Sequence, residues 1–433
     1  MLAATAPISE QPSRMGLALL GAVALASLNT KIAGVAWLLL LVWAATVWRQ
    51  RNRSPDVYRP DALLGASRLW LLGLLIYAGT ELAMTWGWHG ACCSYTSEVN
   101  SFLRLVTAAV ATLVLVRHLR PWPGMRHHIN LAVVTALTSG AVLAAIVGRD
   151  LPAHPIPWAA GMVFLVCVLM PHAWDLHNSP GRRCVYGLGS AMGVAGVLLS
   201  QSRGSFVVLA FPVILLVLHA SRGHRRALVL TGATGLLTFA LLGGLAVAPS
   251  DPLRLRLAAV ETQQALQTKD FNSSLGARVY LTQLSWHHFT EAPWAGVGAS
   301  ERLNLLKNAG LDLSPTESEG LSHVRTLGHV HNQYLHHALD NGVFGLAGFL
   351  ALLACMMWIS LRLRTVSSLA SLQLSLITLS HGFVSLSNVN MAHNFYALSW
   401  GLSVALVFLQ TLVCDETDRA RVLPTTRGIQ AAL

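Results

Sequence analysis

The sequence predicts an all-α polytopic membrane protein with about 12 transmembrane helices and a large helical loop. Three observations point there. The chain has 433 residues, 54% hydrophobic and only 11% charged, whereas a soluble domain carries roughly 25% charged residues. Apolar stretches of about 20 residues, the length that crosses a bilayer, recur along it. The basic residues also fall unevenly among the connections between those stretches.

Met15–Leu28 is a little short for a span. A Thr30-Lys31 break and a second apolar run follow, so it reads as the first arm of a hairpin rather than a cleaved leader. The expected spans are 13–29, 32–48, 69–87, 100–116, 129–148, 156–174, 184–201, 205–221, 227–248, 343–361, 366–386 and 393–413. With the N-terminus in the cytoplasm, the inner connections and tails hold nineteen arginines. The short outer connections hold three cations, Lys31, Arg149 and Arg203. This bias follows the positive-inside rule and supports an even number of spans.

The same placement accounts for the net charge of +11. The one long outer loop, 249–333, balances seven Lys/Arg against eight Asp/Glu. It is not a basic patch, so nucleic-acid binding gains no support. The six cysteines show no zinc spacing, and the adjacent Cys92 and Cys93 are poorly placed to pair with each other. No internal repeat is evident.

Three regions follow: 1–248 with nine spans, the loop 249–333, and 334–433 with three spans and a cytoplasmic tail. The loop is helical in pattern. "DPLRLRLAAVETQQALQT" has helical periodicity, "SSLGARVYLTQLSWHHFTEAP" offers a serine cap and a helix ending before Pro293, and "SERLNLLKNAG" reads as a short helix stopped by Gly310. "SPTESEG", 314–320, breaks the pattern. A loop this long among short connections is usually functional.

Several residues admit a chemical and a structural reading. Arg203, in "LLSQSRGSFVV", is either a snorkelling helix-end cation or an anion contact with Ser200, Ser202, Gly204 and Ser205 as donors and close backbone. Arg278 is either a solvated helix charge or a second anion contact. "PWAGVG", Pro293–Gly298, brings backbone N–H groups close to a partner but lacks the lysine of a P-loop. In "LGHVHNQYLHHALDNGVFG", a helix through His331 would turn His336 and His337 away from it, by roughly 140° and 240°, so no shared metal site is expected. His331 is either a hydrogen-bonded interfacial residue or a general base. Glu81 and Arg104 are expected to pair, structurally or functionally. His393, in "NVNMAHN", lines the same cavity or caps the last span.

Taken in order, "SRG", Arg278 followed by "FTEAPWAGVGAS", and "HVHNQYLHHALDNGVFGLAGF" resemble the O-antigen ligase and polymerase superfamily of bacterial envelope glycosyltransferases. The resemblance covers the span layout and the loop before the tenth span. It implies a GT-C-like fold in the bacterial inner membrane with an active site facing the periplasm. It implies an undecaprenyl-diphosphate-linked glycan as donor and lipid A–core oligosaccharide as acceptor, with no ATP, cofactor or obligatory metal. His331, Arg278 and Arg203 would be catalytic, the arginines clamping the diphosphate and His331 accepting the acceptor proton. Gly296, Gly298, Asn332 and His393 would join Arg203 and Arg278 in binding substrate. A polymerase, a protein O-oligosaccharyltransferase and, from another class, a transporter are the rival readings.

Overall fold

The computed structural model describes residues 12–51, 59–90, 97–206, 210, 255–314 and 318–413. The regular structure among these residues is helical throughout. The first helices are α1 (Arg14–Leu25), α2 (Thr30–Gln50), α3 (Asp61–Leu82, prolonged by a π-helical turn at Ala83–Trp88), α4 (Ser97–His118), α5 (Met125–Val147), α6 (Pro155–Trp174) and α7 (Pro180–Leu199). Three cap helices follow: α8 (Leu255–Gln267), α9 (Ser274–Glu291) and α10 (Ala299–Lys307). The chain then re-enters the bundle as α11 (Gln333–Leu363), α12 (Ser368–Val384) and α13 (Asn394–Thr411).

Local chemistry sets many helix starts. Ser13, Asn29, Ser179, Ser273 and Ser367 each accept a hydrogen bond from a first-turn N–H, satisfying a donor the helix itself leaves unpaired. α6 and α7 open on Pro155 and Pro180, where a missing N–H costs nothing. Ten of the twelve expected spans coincide with α1–α7 and α11–α13. Those at 205–221 and 227–248 lie almost wholly outside the described residues, as do Cys92, Cys93 and residues 315–317. α2, α3, α4, α5, α6 and α11 are each long and apolar enough to cross a membrane, and α1 and α12 are shorter apolar helices. The chain is a polytopic membrane protein.

α6 and α13 form the centre of the bundle, buried from Ile156 to Leu169 and from Phe395 to Thr411. Exposed Leu38, Leu72, Ile76, Ile146, Trp358 and Leu361 lie on the outward faces of α2, α3, α5 and α11. Hydrocarbon solvates such a belt, so helices in lipid associate through close packing and polar contacts instead. Both are present. A Cβ on Gly196 of α7 would lie 3.1 Å from the Ala141 Cα of α5. The Gln410 amide of α13 donates to Asn130 Oδ1 of α5 at 2.7 Å and accepts from Gln373 of α12 at 2.8 Å.

The cap has the three helices expected of the loop, over a small apolar cluster of its own that includes Phe271, Leu281, Leu306, Leu321 and Val324. It joins the bundle at a break in α11. The apolar run suggested a span over 343–361, but the helix begins at Gln333 and kinks at Gly342, whose φ of 61° and ψ of −152° are not helical. "PWAGVG" fills the break. The Val343 N–H donates to Pro293 O at 2.8 Å, Val297 N–H to Leu339 O at 2.8 Å and Gly298 N–H to Asp340 O at 3.0 Å. Each bond replaces one that a continuous helix would have made.

The expected Glu81–Arg104 pair does not form. Glu81, at the end of α3, faces α11 and accepts from Asn341 Nδ2 at 2.6 Å. Arg104, on α4, faces the start of α13 and donates to Asn394 Oδ1 at 2.6 Å. Adjacent helices at similar depth turned these side chains toward different neighbours.

Gly342 is a sharp test of the join. A Cβ there would stand 2.3 Å from Trp294 carbonyl atoms, on a backbone conformation that only glycine adopts freely. Gly342→Ala is expected to destabilise the protein by about 2–3 kcal/mol or more, read as a fall in melting temperature in detergent. Gly65→Ala, on α3 with nothing within 4 Å of the added Cβ, should not lower it. Equal melting temperatures for the two variants would contradict this role for the kink.

Candidate active site

Three helices start close together at the foot of the cap. α6 follows His154, α11 follows Asn332 and α13 follows His393. The rings of His154 and His393 stack at 5.5 Å, His329 meets His393 edge-on at 5.9 Å, and His329 meets His331 at 4.4 Å. Asn332 caps α11 by accepting from the Tyr334 and Leu335 N–H groups at 3.0 and 3.1 Å. His154 and His393 make no side-chain capping bond.

His331 lies outside the helix. Its φ of 55° is left-handed, a conformation uncommon for a residue with a Cβ, though histidine is among the more tolerant. The helical angles expected between His331, His336 and His337 therefore do not apply; the chain turns at His331 and only then enters α11. Its Nδ1–H donates to Asn388 Oδ1 at 3.1 Å, and the Asn388 amide nitrogen donates onward to Asn390 Oδ1 at 3.1 Å. That order fixes the Asn388 oxygen toward the ring and leaves Nε2 as the basic nitrogen. Burial, the Arg278 guanidinium and the neighbouring His154 and His393 push the His331 pKa down to about 4, against the Asn388 bond.

The cations come from three segments. Arg203 follows α7 and contacts Glu261 of α8 at 3.4 Å. The same Glu261 oxygen accepts the Leu275 N–H at the start of α9 at 3.3 Å. Arg278 projects from α9 and, among the described residues, its guanidinium makes no hydrogen bond or ion pair. Burial, then the like charges of Arg203 and Arg149, lower its pKa, and Glu261 alone opposes them. A half-buried guanidinium in this position favours an anion beside it.

The serines around Arg203 do not act as the expected donors. Ser200 accepts from the Ser202 N–H at 3.3 Å, Ser202 and Ser205 share a hydroxyl contact at 3.3 Å, and all three are buried in the turn. The close approach at Gly204 is to the Ser387 side chain, 2.4 Å from a built Cβ. Gly296 and Gly298 likewise face protein. A Cβ on Gly296 would meet the Leu339 carbonyl at 2.4 Å, one on Gly298 the His89 ring at 2.9 Å. Their N–H groups bond Ala292 O and Asp340 O. The turn's close partner is α11, not an open cleft. Asn332 is occupied as a cap, whereas His393 makes no side-chain cap bond and its ring packs against His154 and His329.

Beneath the site, the first half of α11 carries a buried polar network. His337 Nε2 lies 2.8 Å from both Tyr77 Oη and Gln333 Nε2, while Nδ1 stands 3.0 Å from Glu81. His336 bonds Glu98 of α4 at 2.6 Å. Asp340 accepts from Arg302 of α10 at 2.7 and 3.0 Å, and Arg302 also reaches Gly328 O. Both histidines thus anchor α11 to α3 and α4, and Arg302 anchors the cap to α11. Losing one partner of such a buried pair typically costs about 3–5 kcal/mol. No group of three His, Cys, Asp or Glu that could hold a metal occurs among the described residues.

Sequence reasoning missed His154 and gave Arg149 no role beyond topology. The available signal was their shared place on the short connection before α6, one a rare outer cation and the other the residue before Pro155.

No curated protein matches the chain. The sequence model of a family described as O-antigen ligase matches residues 188–350, from within α7 through the cap and past the Gly342 kink. Arg203, Arg278 and His331 all lie inside that interval. Through this segment, well under half of the chain, the protein is similar to the O-antigen ligase family.

Proposed function

We propose that the protein is a glycosyltransferase that moves a glycan from undecaprenyl diphosphate onto lipid A–core oligosaccharide, at the periplasmic face of the bacterial inner membrane. The observation that carries the reading is the Arg278 guanidinium, without a bonded counterion among the described residues, close enough to His331 to depress its pKa. A cation in need of an anion and a neutral base with a free nitrogen are the two groups that glycosyl transfer from a diphosphate requires. The similarity of residues 188–350 to the O-antigen ligase family supports the reaction class, and the arginine bias of the connections supports the orientation.

Arg203 and Arg278 hold the donor diphosphate. The acceptor oxygen bonds to the anomeric carbon as its proton passes to His331 Nε2. The bond from the anomeric carbon to the diphosphate oxygen breaks, and its electron pair stays on the diphosphate, where the guanidinium groups stabilise it. Attack from the face opposite the leaving group inverts the anomeric centre. The donor's negative charge offsets the field of Arg278, so His331 becomes more basic once the donor is in place. Water then takes the proton from His331.

Replacing Arg278 or His331 by Ala should lower transfer by about 10²-fold or more in purified protein, measured as glycan joined to lipid A–core. Activity near wild type in either variant would contradict the assignment. A product in which the glycan sits on a second lipid-linked glycan or on protein would change the acceptor class.

The pH profile tests the base directly. His331 must be deprotonated to act, and its depressed pKa keeps it so as pH falls. The acid limb of kcat/KM, which reports the free enzyme, should therefore lie well below 6.5, near about 4, and Arg278→Gln should move it upward in whatever activity remains. A wild-type limb at the ordinary histidine value of about 6.5 would contradict this. Chelator should leave turnover unchanged; loss that zinc restores would show a metal requirement.

A further inference from the structure

Transfer by His331 and the two arginines leaves three nearby imidazoles without a task. His329 Nδ1 and His393 Nε2 are buried and have no hydrogen-bond partner, which is exceptional for buried polar atoms and asks for an explanation. His154 is exposed and stacks on His393 with an interplanar angle of 22°. A metal would need three grouped ligands, and no such group occurs among the described residues. An anion would favour charged rings, but the surroundings keep them neutral. Burial lowers the pKa of His329 to about 2 and of His393 to about 4, and partial desolvation of the exposed His154 ring, with Arg149 and Arg278 beside it, lowers that of His154. A neutral imidazole offers one donor and one acceptor. That pair of functions matches a hydroxyl group, which also donates and accepts. The stacked ring faces suit the apolar C–H face of a pyranose.

We propose that His154, His329 and His393 form the subsite that seats the acceptor sugar, hydrogen-bonding the hydroxyls next to the one that attacks. The His329 ring lies 4.4 Å from the His331 ring, so hydroxyls adjacent to the deprotonated one fall within reach of its neighbours. The donor diphosphate stays with Arg203 and Arg278 toward α8 and α9, and the acceptor enters along the starts of α6 and α13. This assignment rests on His331 being the base.

The test is steady-state transfer by the full chain in nanodiscs, varying undecaprenyl-diphosphate-linked glycan and lipid A–core separately. His393→Phe keeps a stacking ring and removes the nitrogens. It should raise the KM for lipid A–core about tenfold, the loss expected for one hydrogen bond at such a site, and leave the donor KM within about twofold. His393→Gln, which restores a donor and an acceptor, should recover part of the loss. An unchanged acceptor KM in a folded, active His393→Phe protein would overturn the proposal, as would equal rises in both KM values, the mark of a structural role. Should His393→Phe fail to fold, His154→Phe at the exposed position takes its place in the same measurement, and the same two results would overturn the proposal. Wild-type turnover by His331→Ala would sink the base itself, a failure readable independently of these KM values.

Discussion

The exchange of backbone hydrogen bonds at Gly342 is the constraint on which the rest of the site depends. A straight α11 would satisfy its own carbonyls and leave the cap loop with nothing to bind. The kink frees Leu339 O and Asp340 O, and Val297 and Gly298 take them. Each buried carbonyl left unpaired would cost about 1–3 kcal/mol, so loop and kink enforce one another. Everything at the start of α11 follows from that join. Asp340 meets Arg302, Asn341 meets Glu81, and His331 is delivered to a turn on the cap side of the bundle.

A second constraint is electrostatic. Arg203 and Arg278 share a corner in which Glu261 contacts Arg203 and supports the start of α9. Arginine suits this place because its guanidinium remains protonated even where burial and like charges oppose it. Burial, with the field of Arg278 adding to it, lowers the pKa of the nearby His331 and His154. Guanidinium groups and histidines of lowered pKa thus sit near one another, and on the proposed reading acid–base and anion-holding roles are divided between them. The left-handed turn at His331 and the crowded guanidinium groups both cost stability, and the Glu81–His337 and Glu98–His336 contacts below hold α11 against that cost.

Much of the fold could be read from hydropathy. Ten helices fell where apolar runs of spanning length stood, and the cap helices where Ser273 and Gly310 punctuate a helical pattern. The errors share a cause. The first half of α11 is rich in His, Asn and Asp, so an apolar-run reading began the helix too late. The partner of "PWAGVG" is the backbone of another segment, and backbone-to-backbone contacts leave no side-chain signature beyond glycine. The glycines did signal close approach; which surface they approach was not encoded locally. Glu81 and Arg104 were paired by depth along their helices, but rotation about the helix axis decided their partners. His154 is 200 residues or so from the other histidines in sequence, and only the packing of α6 against α13 brings it to them.

Binding separated from chemistry gives the most direct test. Undecaprenyl diphosphate binding to the full chain in nanodiscs should weaken about tenfold or more when Arg278 becomes Gln. It should stay near wild type when His331 becomes Gln, although that protein transfers glycan about 10²-fold or more slowly. Equal binding by wild type and the Arg278 variant, or glycan transfer near the wild-type rate by the His331 variant, would contradict the division of labour between guanidinium and imidazole.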